Sequence, residues 1–143
     1  MPTPSRACLG LTPPVIRPTG AWISSSLTSC RSGVEQVRRN FERYGLMDDQ
    51  VGFIVGWFKD TLTDAPVTDL FVLRLDGDLH ESTIQALEPL YPKLSAGGYC
   101  IIDDYGNLNA CASAVTDYRK AHGIDDEIID IDGWGVYWRK SVP

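Results

Sequence analysis

The sequence predicts an α/β protein built on a mostly parallel sheet with an antiparallel strand at its end. Three observations predict it. Two apolar runs of strand length each end in an acidic cluster: Phe71-Val72-Leu73-Arg74-Leu75-Asp76-Gly77-Asp78 and Gly97-Gly98-Tyr99-Cys100-Ile101-Ile102-Asp103-Asp104-Tyr105. An amphipathic stretch of helix length lies between them, which makes a βαβ unit with parallel, neighbouring strands. Two short closing runs, Glu127 to Ile131 and Gly135 to Arg139, joined through Asp132-Gly133-Trp134, read as a last pair of strands.

The elements follow in order from residue 34. Ser32 followed by Glu35 fits a capping box, and Val34, Val37, Phe41 and Tyr44 share one helical face before Gly45 ends the helix. Gln50 to Val55 reads as a strand, followed by Gly56-Trp57-Phe58 and a short turn or helix with Asp60. Asp69 to Leu75 is the second strand. Glu81 to Tyr91 is a helix with Ile84, Leu87, Leu90 and Tyr91 inward and Pro89 bending its last turn. Tyr99 to Asp103 is the third strand. Asn109 to His122 is a helix with Ala110, Ala114, Val115 and Tyr118 on its core side, and Trp134 and Trp138 are expected to close the core under the final hairpin.

The 143 residues allow one domain with a modest core. A net charge of −6 without a basic stripe argues against nucleic acid as a partner. No apolar run approaches the roughly 18 residues of a membrane span, and no signal-peptide plan is visible. Cys8, Cys30, Cys100 and Cys111 lack any C-x-x-C spacing, which disfavours zinc and a disulfide framework and makes a reducing cytoplasm the expected setting. Residues 1–32 stand apart from a domain over 33–143. The first 33 residues hold five of the nine prolines and no Asp, Glu, Lys, Phe or Tyr, leaving 10 basic and 19 acidic groups in the remainder. The leader reads either as disordered, with one short strand at Ala21 to Leu27, or as the product of an altered start or shifted reading frame.

Parallel strands present their carboxyl ends at one edge of the sheet, where open α/β sheets bind ligands. Alone, Asp76-Gly77-Asp78 is only a turn and Asp103-Asp104 a helix cap with a solvated neighbour. Together at adjacent strand ends they repel one another unless a cation sits among them, and the pattern asks for a hard divalent metal. His80 and His122 read as surface residues.

The residues also carry a family resemblance. Val34-Glu35-Gln36-Val37-Arg38-Arg39-Asn40-Phe41, Tyr44-Gly45-Leu46, Gly56-Trp57-Phe58-Lys59-Asp60-Thr61-Leu62, Leu73-Arg74-Leu75-Asp76-Gly77-Asp78-Leu79 with Glu81-Ser82-Thr83, Leu90-Tyr91-Pro92-Lys93-Leu94, Asp103-Asp104-Tyr105-Gly106 and Gly135-Val136-Tyr137-Trp138 resemble the macrocin O-methyltransferase family over about residues 33–140. The one small departure is His80, where the family usually has tyrosine. The resemblance implies the C-terminal portion of a class I, Rossmann-like S-adenosylmethionine-dependent methyltransferase fold, truncated at the front. It further implies methyl transfer to a sugar hydroxyl of a macrolide or aminocoumarin, with a small glycosylated acceptor as the partner. By the same resemblance Asp76, Asp103 and Asp104 are expected to bind Mg²⁺ and Asp78 to act as general base. Trp57 and Phe58 are expected either to contact the adenine of S-adenosylmethionine or to pack in the core, and Tyr105 either to line the sugar pocket or to pack. No G-x-G-x-x-G or equivalent is present, and the first two strands of the fold have no counterpart. A non-catalytic remnant lacking the cofactor-binding half is therefore the alternative, with exposed parallel edges favouring self-association.

Overall fold

The computed structural model describes residues 33–142. The leader, with its expected strand at Ala21 to Leu27 and the Ser32 cap, lies outside these residues. Helix α1 (Val34–Arg43) starts at Gly33 with no side-chain cap. Its apolar stripe is present as predicted, but none of its residues is buried: Phe41 meets Phe53 edge-on at 5.6 Å and Tyr44 is 70% exposed.

The predicted strand at 50–55 is replaced by extended chain with a single bridge residue, Val55. A strand exists only through its ladder, and the four-stranded sheet supplies none along this segment. One turn of helix, α2 (Phe58–Thr61), follows and buries Phe58.

The sheet has the order β1-β2-β4-β3, from β1 (Leu70–Leu75), β2 (Leu94–Ile102), β3 (Ile129–Asp130) and β4 (Val136–Arg139). β1 and β2 are parallel, joined through α3 (His80–Leu90) and a 3₁₀ turn (Tyr91–Lys93), and Leu75 lies opposite Ile102. β4 runs antiparallel to both β2 and β3, as the closing hairpin predicts. β2 begins five residues earlier than the sequence suggests. Gly97 and Gly98 look like a turn, yet here Gly98 lets two backbones approach: a Cβ would stand 2.8 Å from the Phe71 carbonyl oxygen.

Helix α4 (Asn109–His122) has the predicted bounds and ends at Gly123. Together α3 and α4 cover one face of the sheet. Thr83, Ala86, Leu87 and Leu90 from the first, and Cys111, Ala114, Val115 and Tyr118 from the second, are buried against Leu73, Leu75, Cys100, Ile102, Val136 and Trp138. Cys111 thus takes the core position predicted for Ala110, which is exposed. Trp138 is 0% exposed, and its indole N–H donates to the Tyr91 hydroxyl at 3.1 Å. Burying the indole without that partner would leave an unsatisfied donor.

Trp134 departs from expectation. It is 58% exposed at the β3–β4 turn and closes nothing. The carboxylate of Asp132 accepts the N–H groups of Trp134 (3.1 Å) and Gly135 (2.9 Å), and Asp130 accepts that of Gly133 (3.0 Å). These bonds fix the turn so that the indole points away from the core. The bonds from Gly135 and Trp134 also hold the Asp132 carboxyl below its usual range.

Candidate metal centre

The C-terminal ends of β1 and β2 lie side by side, and the ladder extends one step past them, with the Asp103 N–H donating to the Leu75 carbonyl at 2.9 Å. The loops leaving both strands therefore start from one edge, which brings the two acidic clusters together. Asp76, Asp78 and Asp104 each bring one carboxylate oxygen into a group whose members lie within 4.8 Å of one another.

Asp103 stands outside that group. Its carboxylate pairs with Arg74 at 2.6 Å, and the same guanidinium reaches Asp76 at 4.0 Å. Strand alternation accounts for the Arg74 pairs but not for the division, since it puts Asp76 on the same side as Arg74 and Asp103. Ile101 and Asp103 fall on the side that Arg74 occupies, whereas Ile102, fully buried, and Asp104 fall on the helix side.

Burial first, then the charge of Asp103, raises Asp76 above the ordinary carboxylate range, with Arg74 pulling the other way. Asp104 is pushed up to about 6, by burial and by a hydrogen bond shared with Asp78. One oxygen of Asp104, Oδ2, is buried and has no hydrogen-bond partner among the described residues. Acidic groups crowded to this degree and partly withdrawn from water fit a small divalent cation that takes oxygen ligands. The orphaned Oδ2 is the acceptor such an ion would satisfy.

The loop carrying Asp104 is anchored to the hairpin turn. Gly106 donates its N–H to the Trp134 carbonyl at 2.7 Å, and a Cβ on Gly106 would overlap the Gly133 carbonyl oxygen. Only glycine admits this approach. Tyr105 packs half-buried against the core, Phe58 lies in the core at 5% exposure, and Trp57 before it is half-buried. His80 is a surface residue 3.2 Å from Asp117, and His122 stacks on Tyr118 at 4.1 Å.

Sequence reasoning missed Arg74 as the partner of Asp103. The sequence signal, Arg74 two residues before Asp76 on one side of a strand, points only to Asp76; the pairing with Asp103 follows from the register of β1 against β2.

Comparison with known proteins agrees with the fold. Residues 24–140 match the family described as Macrocin-O-methyltransferase (TylF). The chain is 64% identical over 108 residues to the 8-demethyl-8-(2,3-dimethoxy-alpha-L-rhamnosyl)-tetracenomycin-C 4'-O-methyltransferase of Streptomyces olivaceus. It is 58% identical over 105 residues to the mycinamicin III 3''-O-methyltransferase of Micromonospora griseorubida. These alignments cover 76% and 73% of this chain and 41% of each relative, so the chain spans about two fifths of their length. Among solved structures, the O-methyltransferase NovP superposes with a TM-score of 0.75 at 55% identity, covering 77% of this chain and 46% of NovP. The apo structure of CalS11, a TDP-rhamnose 3'-O-methyltransferase, matches at a TM-score of 0.60 and 19% identity over 80% of this chain and 56% of that one, a likeness of fold.

Proposed function

This chain belongs to the macrocin-O-methyltransferase family, and on that premise we propose that it carries the acceptor-activating part of a Mg²⁺- and S-adenosylmethionine-dependent sugar O-methyltransferase. The observation that supports the reading is the Asp76, Asp78 and Asp104 group with its orphaned, buried Oδ2. Relatives named for a rhamnosyl-tetracenomycin and for mycinamicin III favour a glycosylated secondary metabolite as acceptor. No helix among the described residues is long and apolar enough to cross a membrane, and Cys100 and Cys111 are free, buried thiols that suit the cytoplasm.

Sugar hydroxyls are weak acids, so methylation requires charge to build on the oxygen as its proton leaves. Asp76, Asp78 and Asp104 would hold the ion, which when bound supplies Lewis acidity toward neighbouring acceptor oxygens. Asp78 would take the hydroxyl proton through the carboxylate oxygen it does not offer to the ion, held in place by the loop between β1 and α3. The electron density left on the oxygen is what attack on a sulfonium methyl requires. Arg74, paired with Asp103 and close to Asp76, offsets part of the negative charge that Asp103 adds to the group. On this reading Tyr105 is assigned to the acceptor side and Trp57 to the side of the methyl donor, as the family resemblance implies.

Calorimetric titration with MgCl₂ at neutral pH tests the reading. One site per chain is expected, abolished in Asp104→Asn; a wild-type chain that takes up no Mg²⁺ refutes it. A parallel titration with S-adenosylmethionine decides between the two forms of the proposal. Micromolar binding would sink the remnant alternative, and no binding would leave the chain with the acceptor half alone.

A further inference from the structure

The segment 77–79, which presents Asp78, is gripped by the first turn of α3. The Ser82 hydroxyl donates to the Gly77 carbonyl and lies 3.0 Å from the Leu79 carbonyl. Thr83 reaches the Leu79 carbonyl twice, through its hydroxyl at 2.8 Å and its backbone N–H at 3.0 Å. Between these anchors, Asp78 has φ 48°, the only non-glycine residue at positive φ among the described residues. The Leu79 N–H closes onto the Gly77 carbonyl, so the three residues form a turn with an i→i+2 bond. Turns of this kind with positive φ at the centre are rare and strained. They persist only where the surroundings over-determine them.

Those surroundings are tight. Thr83 is 1% exposed, and its hydroxyl lies 3.8 Å from Cys111 Sγ on α4. A Cβ on Gly77 would meet the Thr83 hydroxyl at 3.3 Å and that of Ser82 at 3.4 Å. The turn is thus fastened to α3 and, through Thr83, set against α4.

We infer that Thr83 is a positioning residue for the metal site: with Ser82, its hydroxyl holds Asp78 in the left-handed turn that brings its carboxylate to Asp76 and Asp104, and thereby sets the affinity for a divalent cation. This rests on the metal reading above. Groups that orient ligands in this way are worth roughly 10–100-fold in metal affinity.

The test is MgCl₂ calorimetry on wild type, Thr83→Val and Thr83→Ser, with urea unfolding in EDTA alongside. Thr83→Val keeps the shape and loses the hydroxyl, so its Mg²⁺ affinity is expected to fall roughly 10–100-fold. Thr83→Ser is expected to restore the wild-type value, a rescue that a purely packing role would not give. Equal affinity in Thr83→Val and wild type would overturn the inference and leave the metal reading standing. No Mg²⁺ uptake by wild type would overturn both. If Thr83→Val does not fold, the half-buried Ser82→Ala carries the test: weakened binding supports the clamp, and unchanged binding overturns it.

Discussion

Asp104→Asn removes one of three crowded carboxylates while keeping the shape of the side chain. Burial and the bond to Asp78 hold Asp104 at about 6, against 3.8 for an ordinary aspartate. At 1.36 kcal/mol for each pH unit, that gap sets a ceiling of about 3 kcal/mol. The side chain is only partly buried, and solvent screening brings the figure to about 1–2 kcal/mol. The sign follows from the direction of the change. The folded state binds this proton more tightly than the unfolded chain, so its stabilisation is full below pH 3.8 and is lost as pH rises through about 6. Asparagine carries no charge to repel. Its amide N–H can also donate to the neighbouring carboxylates. In EDTA at pH 8, Asp104→Asn is therefore expected to be more stable than wild type by about 1–2 kcal/mol, a rise of roughly 0.5–1 M in the urea midpoint. At pH 4 the two should nearly coincide. A midpoint that falls at pH 8, or rises equally at both pH values, would refute the reasoning. Millimolar MgCl₂ should invert the order, because an ion held by the folded state stabilises only the chain that binds it.

Three further outcomes follow from the geometry. Arg74→Met removes the cation 4.0 Å from Asp76 and is expected to tighten Mg²⁺ binding by roughly a few-fold at low salt, measured by calorimetry; weaker binding would show that Arg74 supports the site through Asp103. Gly106→Ala forces a Cβ against the Gly133 carbonyl and is expected to cost about 2 kcal/mol or more in urea unfolding, with a loss of Mg²⁺ affinity as the Asp104 loop shifts. Trp138→Ala empties a fully buried site and strands the Tyr91 hydroxyl, so a loss of about 3–5 kcal/mol is expected in the same assay.

The βαβ unit, its acidic strand ends and the bounds of α4 were legible because each rests on local signals: apolar runs of strand length, a helical period and a terminal glycine. The strand at 50–55 misled because its apolar content says nothing about whether a neighbour pairs with it. β2 was read too short because Gly97-Gly98 is ambiguous between a turn and a close backbone approach. In the site, the convergence of the clusters was readable, but the division of labour was not. Choosing among Asp76, Asp78, Asp103 and Asp104 needs the register of β1 against β2, which sets Asp103 beside Arg74 and turns Asp104 toward the helices. The left-handed φ of Asp78 leaves a fainter trace in sequence, since aspartate tolerates that conformation without a glycine to announce it.

All three clustered carboxylates come from one uninterrupted piece of chain, from the end of β1 through α3 to the end of β2. A cation held there would staple the two ends of a single crossover. Unlike a covalent link, it would leave the unfolded chain unrestricted and stabilise the folded unit by its own binding free energy. The βαβ unit should then become the last part to open in hydrogen exchange when Mg²⁺ is present, and the cation would act as a folding ligand as well as a chemical one.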